Sequence, residues 1–574
     1  MLEPGRSYDE VYHRFRWRLP RHFNMGVACC DRHAATKGGA PALLFLEESG
    51  RLKRYSFADM RALSNRFANA LAAHGIGRGE RLAILLPQSP EAAIAHIACY
   101  KAGLIAVPLF TLFGEEALEY RLANASAKAV LTDEANLPKL AALRARLPEL
   151  ALVIVTRGEA SAAPLPAESV DFWTILAGAS DRFTPLATAA EEPALIIYTS
   201  GTTGPPKGAL HAQRVLLGHM TGMEFYHEFP PQPGDLFWTP ADWAWIGGLL
   251  DVLLPAWFHG IPVLACRMRK FDPELAFRLI AEHGVRNLFL PPTALKLMRQ
   301  VPEPRARWSY AIRSIFTGGE AMGEELLAWG RDTLGVTINE GYGQTECNLV
   351  LGNCAAVMPV RAGSMGRPVP GHMVEIVDEE GRVLPAGSLG VVGVRRPDPV
   401  MLLEYWRDPE ATRAKYAGDW LLTGDMAVKD DGGYFWFHGR ADDIITSAGY
   451  RIGPSEIEDC LLKHPAVAMA AAVGVPDALR TEIVKVFIVP AAGAVPSPEL
   501  ARDIQEFVKT HLAAHEYPRL VEFTEALPLT ATGKIIRREL RAREIAKQQT
   551  AASSPLPLAG SSREADRWGR GVAG

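Results

Sequence analysis

The sequence lacks the marks of several protein classes. No stretch of its 574 residues offers the roughly 20 uninterrupted apolar residues that a membrane-spanning helix needs. The longest candidate, Ile246 to Phe258, is broken by Asp251 and Pro255 and reads as a buried core helix. The N-terminus, MLEPGRSYDEVYHRFRWRLP, is charged and aromatic and has no apolar central region, so no secretory signal is expected. Cysteine is sparse: Cys29, Cys30, Cys99, Cys266, Cys347, Cys354 and Cys460 form no CxxC pair and are odd in number. That spacing speaks against a disulfide framework or a zinc site and for reduced thiols in a cytoplasmic protein. Charge of one sign is lacking too. With 61 basic and 65 acidic residues the net charge is −4, which favours neither nucleic acid nor an anionic membrane as partner. No solenoid repeat is present.

What is there is ordinary globular composition, 48% hydrophobic and 22% charged. At roughly 150 residues per domain the length suggests about four domains or subdomains with a sizeable core. The body alternates helical patterns with short apolar runs. Tyr55 to Leu71 and Glu91 to Ala102 read as helices. Arg81–Leu86, Ile105–Pro108, Ala129–Thr132, Leu152–Val155, Pro262–Ala265 and Asn287–Leu290 read as buried strands. Such a rhythm predicts layered α/β structure with parallel sheets. From about Gly371 the texture becomes strand–turn–strand, a small β-rich unit. Beyond Arg440, Pro454 to Lys463 reads as a helix with proline at its start and acids in its first turns, followed by strands at Ala470–Val475 and Val484–Val489. A boundary is placed at 442. The end of the chain, rich in Ser, Ala, Pro and Gly, reads as a disordered tail over 546–574.

The most informative stretch is Tyr198 to Gly208, YTSGTTGPPKG, which follows the strand-like run Ala194 to Ile197. Glycines let backbone N–H groups approach an anion, and Thr199, Ser200, Thr202, Thr203 and Lys207 add donors, a combination suited to a triphosphate. It is not a Walker A loop, because Pro206 precedes the lysine and Gly208 follows it. The string resembles the signature loop of the adenylate-forming superfamily of acyl-CoA synthetases, firefly-type luciferases and nonribosomal adenylation domains. Gly318-Gly319-Glu320, Gly341-Tyr342-Gly343-Gln344-Thr345-Glu346, Thr423-Gly424-Asp425, Gly439-Arg440-Ala441-Asp442-Asp443 and Thr532-Gly533-Lys534 match in the expected order, so that the resemblance spans roughly residues 20 to 545.

The resemblance implies an α/β fold: a large N-terminal domain (1–441) of layered α/β subdomains plus a small β-rich subdomain (371–441), and a small mobile α+β C-terminal domain (442–545). It implies ATP with Mg2+, coenzyme A and a small-molecule carboxylic acid as ligands, and it leaves a homo-oligomer open. The implied nucleotide site comprises Thr199, Ser200, Gly201, Thr202, Thr203, Gly204, Lys207, Gly319, Glu320, Tyr342, Gly343, Gln344, Thr345, Asp425 and Arg440. Asp425 would hold the ribose hydroxyls and Arg440 the ribose and phosphate side. Glu346 with Thr345 would meet the phosphates and Mg2+, and Tyr342 would offer a stacking face to adenine. Lys534 would reach the α-phosphate and the attacking carboxylate. Because both reactants are anionic, such catalysis rests on positioning and on charge neutralisation. Asp442 would be the hinge about which the small domain turns between half-reactions, bringing Gly449, Tyr450 and Arg451 to coenzyme A. His464 and Val467 fall where some relatives hold a structural Mg2+, with a capping or packed histidine as the competing account.

The acyl pocket is expected at Trp245, Gly247, Gly318 and Gly343. Acetyl-CoA synthetases carry tryptophan at the position of Gly343. Its absence is expected to leave room for further methylenes, each worth roughly 0.8 kcal/mol when buried. The chain therefore resembles the medium-chain acyl-CoA synthetases, which also take branched and aromatic acids, unless Trp243 or Phe316 refills the space. The alternatives are a short-chain acetate or propionate ligase and a non-catalytic nucleotide-binding relative. The latter is disfavoured because Lys534, Asp425, Arg440 and Glu346 are all present.

Overall fold

A computed structural model describes residues 1–158, 164–166, 168–199, 205–268, 270–319, 322–441, 443–447, 450–477, 481–512, 516–530 and 533–553. At 446, 450, 451, 456, 481 and 548–553 it describes the backbone alone. The chain divides into two compact units, Met1–Asp442 with Leu529–Lys534, and Asp443–Pro528 with the residues from Ile535 onward.

The first unit is layered because its strands are apolar on both faces. In Arg81–Leu85, Leu82 and Ile84 join one core cluster while Ala83 and Leu85 join another. The first cluster takes side chains from two sheets and from the helices Phe57–Ala73, Pro90–Lys101 and Val215–Tyr226, which lie between them. Helices Glu115–Ala125 and Leu137–Leu143 cover the outer face of one sheet. Helices Pro273–His283, Pro292–Arg299 and Glu324–Trp329 cover the outer face of the other.

The eight-stranded sheet carries Ile105–Pro108, Arg81–Leu85, Ala129–Asp133 and Leu152–Thr156 in parallel. In the larger sheet Phe237–Trp238, Asn287–Phe289, Ser314–Gly318 and Ile338–Gln344 run parallel. The β-rich stretch after Gly371 is the antiparallel wing of this same sheet. Val374–Val377, Leu389–Arg395, Trp420–Lys429 and Phe435–Arg440 continue through Ser364–Pro368 and Cys347–Gly352 to Ile338–Gln344.

Local chemistry moves some element ends away from the sequence expectation. Tyr55 belongs to the strand Leu52–Ser56, paired with Leu43, because Ser56 and Asp59 form a reciprocal capping box that starts the helix at Phe57. The run from Ile246 is helical and buried as expected, but it contains a π-turn at Leu249–Leu253 between Ile246–Gly248 and Leu254–His259. All seven cysteines are buried and unpaired. Among the described residues no helix is long and apolar enough to cross a membrane.

The second unit is built on a five-stranded sheet, led by the antiparallel pair Val467–Asp477 and Thr481–Pro490. Ala470 and Ala472 face helices Pro454–Leu461 and Pro498–His511; Ala471, Val473 and Val475 face Leu540 of the helix Arg537–Ser553. That last helix corrects the expected tail: the chain is helical to Ser553, and 554–574 lie outside the described residues.

Candidate active site

Strand pairing places Asp425 opposite Arg440. The Asp425 carboxylate is nearly buried, with Arg440 Nη1 3.1 Å from Oδ1. Its other oxygen accepts from the Tyr342 hydroxyl at 2.6 Å and from Gln344 Nε2 at 2.6 Å. Tyr342 and Gln344 alternate along Ile338–Gln344 and so share the face toward Asp425. Burial and the neighbouring carboxylate push the Tyr342 hydroxyl well above its ordinary value, so it stays protonated and donates. Lys415 ties the back of this cluster, donating to the Thr423 carbonyl at 3.1 Å. An oriented anion with a guanidinium beside it suits two vicinal hydroxyls. Tyr342 therefore stands as the orienting donor of Asp425, a role the sequence did not suggest.

A second cluster forms where the signature loop is pinned. Thr199 and Lys207 are register partners in the hairpin Pro193–Thr199 and Lys207–Ala212. Ser200, Gly201, Thr202, Thr203 and Gly204, at the tip, lie outside the described residues. Lys207 Nζ lies 5.4 Å above the ring of Tyr405, and the Tyr405 hydroxyl donates to Glu346 Oε1 at 2.5 Å. Tyr405 arrives by pairing with Ala209. Glu346 and Thr345 sit in the tight turn between Ile338–Gln344 and Cys347–Gly352, with Glu346 8% exposed. Among the described residues no group hydrogen-bonds Glu346 Oε2. A lysine and a carboxylate with one uncommitted oxygen, beside a glycine- and threonine-rich loop, fit a phosphate chain with its Mg2+. Among the described residues no group of three or more His, Cys, Asp or Glu is gathered as a metal centre, so such an ion would take most ligands from phosphate and water.

The third cluster is an aromatic wall. Trp245 lies 5.5 Å from Phe289, Phe289 stacks at 5.0 Å on Phe316, and Phe316 stacks at 4.3 Å on Tyr226. Gly319 stands at its edge with φ +94°, a conformation that favours glycine. A Cβ built there would lie 3.8 Å from Lys534 Cε and 3.9 Å from Trp245 Cη2. Lys534 is exposed and held in a turn: Thr530 N donates to its carbonyl at 2.8 Å, and its own N–H donates to Thr530 Oγ1 at 3.0 Å. The catalytic candidate and the expected acyl wall thus meet at Gly319.

Two expectations about this wall need correction. Gly343 does not border free space, because a Cβ there would lie 2.4 Å from Leu349 N and 2.6 Å from Asn348 Oδ1. At Gly318 the added atom would meet the Gly341 carbonyl oxygen at 2.8 Å, and at Gly247 it would meet Phe289 at 2.8 Å. These glycines permit close packing of backbone and rings, and Phe316 does part of the refilling. A missing side chain in sequence is not a cavity when main chain occupies its place.

The remaining candidates divide. Glu320, Asp442 and Gly449 lie outside the described residues, while Tyr450 and Arg451 are described only as backbone of the strand Tyr450–Ile452. His464 does not stand as a metal ligand. Its Nδ1 accepts from Ala466 N at 3.2 Å, its Nε2 faces Asp503 Oδ2 at 3.2 Å, and its ring packs edge-on against Phe507. With both nitrogens used, it is a structural histidine, and Val467 N donates to its carbonyl. Sequence reasoning missed Tyr405, Lys415 and Asn348. None lies in a recognisable string, and only strand pairing brings them in.

Comparison with known proteins supplies a further set of findings. The pattern of the AMP-binding enzyme family matches residues 30–406, and that of the AMP-binding enzyme C-terminal domain matches residues 456–534. The chain is 34% identical over 553 residues to an acetyl-coenzyme A synthetase of Bacillus subtilis (strain 168), covering 94% of this chain and 95% of that protein. It is 34% identical over 549 residues to the mitochondrial acyl-coenzyme A synthetase ACSM4 of Mus musculus, covering 93% of each. A solved structure of the anthranilate CoA ligase AuaEII in complex with anthranoyl-AMP superposes with a TM-score of 0.83 at 28% identity, covering 93% of this chain and 99% of that one.

Proposed function

The chain belongs to the AMP-binding enzyme family, and from that premise we propose how its residues divide the work of an AMP-forming acyl-CoA synthetase acting on an acid larger than acetate. It is an acid–thiol ligase. A carboxylate oxygen attacks the α-phosphorus of ATP, pyrophosphate leaves, and an acyl-adenylate forms. The thiol of coenzyme A then displaces AMP to give the thioester.

Asp425 accepts from the ribose hydroxyls, held in place by Arg440, Tyr342 and Gln344. Lys207, Thr199 and the loop between them bind the phosphates. Glu346 and Thr345 would hold the Mg2+ that accompanies ATP, which would supply charge neutralisation at the phosphates, and Tyr405 orients the Glu346 carboxylate. Lys534 sets its ammonium between the carboxylate and the α-phosphate, where two anions must approach. Gly449, Tyr450 and Arg451 serve coenzyme A, with Asp442 as the hinge between half-reactions. The acyl group lies against Trp245, Phe289 and Phe316, whose rings suit an apolar or aromatic acid.

The observation that carries this reading is the meeting of Lys534, Trp245 and Gly319 at one point. Lys534→Ala should lower acid-dependent ATP–pyrophosphate exchange by at least about 10²-fold while leaving thermal unfolding unchanged, since the side chain is exposed. Exchange at the wild-type rate would refute the role. In a panel of acids, acetate as the best substrate would overturn the proposed acid class.

A further inference from the structure

One carboxyl is conspicuous in the wall behind the acyl site. From Ile246 to Phe258 every residue is apolar or glycine except Asp251. The residue is 3% exposed and lies in the π-turn Leu249–Leu253, one turn beyond Gly247. Irregular turns of this kind often mark functional positions. Among the described residues Asp251 has no lysine or arginine partner. Its Oδ1 accepts from Asn348 Nδ2 at 2.7 Å, and its other close polar neighbour is His219 Nε2 at 4.0 Å. His219 is fully buried, and its Nδ1 is bonded to the Val215 carbonyl at 2.8 Å, which leaves Nε2 as a bare lone pair without a partner. Burial holds His219 down to about 4, so it is neutral, and burial pushes Asp251 well above the carboxylate range.

Asn348 carries this polar group to the acyl face. Gly341 and Gly343 alternate with Tyr342 and Gln344, so they point away from Asp425. Gly341 meets the rings of Phe316 and Tyr226, which belong to the aromatic wall, and Gly343 meets Asn348 Oδ1. Pairing slips between Tyr342 and Gln344, and Leu349 takes φ +61°. The extra residues of the partner strand thus press the Asn348 amide under Gly343. Its nitrogen goes to Asp251, while its oxygen has no donor among the described residues.

We propose that Asp251 and Asn348 form a polar floor to the acyl site, selecting acids that carry an uncharged hydrogen-bond donor, a hydroxyl or an arylamine, remote from the reacting carboxylate. The inference rests on the ligase reading above and adds the substrate class. An apolar tail ending at this floor leaves the Asn348 carbonyl and the Asp251–His219 pair unsatisfied. A site built to bond a hydroxyl rejects the isostere lacking it far more strongly than an apolar pocket rejects an extra methyl.

The test compares isosteric acids that differ only at the tail: hydroxybenzoates and aminobenzoates against methylbenzoates at each ring position, and ω-hydroxyalkanoates against alkanoates one carbon longer. With the unmodified protein, kcat/KM from pyrophosphate release should favour the donor-bearing member by about 10²-fold at one position at least. In Asn348→Leu that ratio should collapse toward one, whatever the absolute rate, and Asp251→Asn, which keeps hydrogen-bonding capacity, should retain part of it. A structural role alone would lower both members equally and keep the ratio. Preference for the methyl member at every position, or for a tail bearing an ammonium, overturns the inference and leaves the ligase reading standing. Failure to form acyl-AMP from any acid overturns the ligase reading itself.

Discussion

In the larger unit helices are buried against sheets through side chains such as Leu82, Ile94, Leu216 and Leu254. In the smaller unit the apolar clusters are modest, and the last helix is tied by ions to the helix Pro454–Leu461 and to the sheet. Arg537 makes a two-pronged contact with Glu458 at 2.9 and 2.5 Å; Arg541 pairs with Glu482; Lys485 reaches Glu522 at 2.6 Å and Glu544 at 2.7 Å. A small body has little interior relative to its surface, so it cannot rely on area buried alone. Ion pairs fill that gap and fix one registry of the helix, at a desolvation cost and with sensitivity to salt. The lesson is that substitutions should act by different mechanisms in the two units.

The largest expected effect breaks the ionic side. Arg537→Ala strands the Glu458 carboxylate and should destabilise the smaller unit by about 3–4 kcal/mol, read as loss of hydrogen-exchange protection over 467–490. Replacing both partners with Met and Leu should recover most of it.

Acid tests the apolar side. In the larger unit burial lowers His96, His211 and His227 to about 3 and His219 to about 4. The unfolded chain takes up these protons below about pH 6.5, whereas the folded chain does not until near pH 4. Stability therefore falls as pH drops through this window, by about 1.4 kcal/mol per pH unit per histidine. Asp242, raised to about 6, and Asp251, also raised by burial, bind protons sooner when folded and act in the opposite sense. The four histidines outnumber these two carboxyls, so the net effect is a loss of stability between pH 6 and pH 5, measurable by urea titration. A flat profile would mean that these histidines are not buried and neutral.

The smallest effect sharpens the packing claim. Gly343→Ala should cost about 2 kcal/mol by overpacking against Leu349 N. Gly343→Trp should disrupt the hairpin instead of shifting preference toward acetate. A stable tryptophan variant with improved acetate turnover would restore the idea of open space at this position.

Much of the fold was legible because its signals are local. Ile105–Pro108 is found where its four-residue apolar run ends in proline, and Pro454 marks its helix start. The site was legible where its groups sit in strings, as with Thr423-Gly424-Asp425 and Arg440. It was not legible where a partner lies far along the chain. Tyr405 reaches Glu346 across 59 residues, and His464 finds Asp503 across 39.

By itself the sequence determined the alternation of strands and helices, the change of texture after Gly371 and the family to which the chain belongs. Each of these is written in the spacing of neighbouring residues. Only the tertiary structure decided that Gly343 is packed by main chain, that Tyr342 serves Asp425 through its hydroxyl, and that Asn348 bonds the buried Asp251. Those outcomes depend on strand register and on a bulge between paired strands. Register is set by the burial of whole faces, a property that no short window of sequence contains.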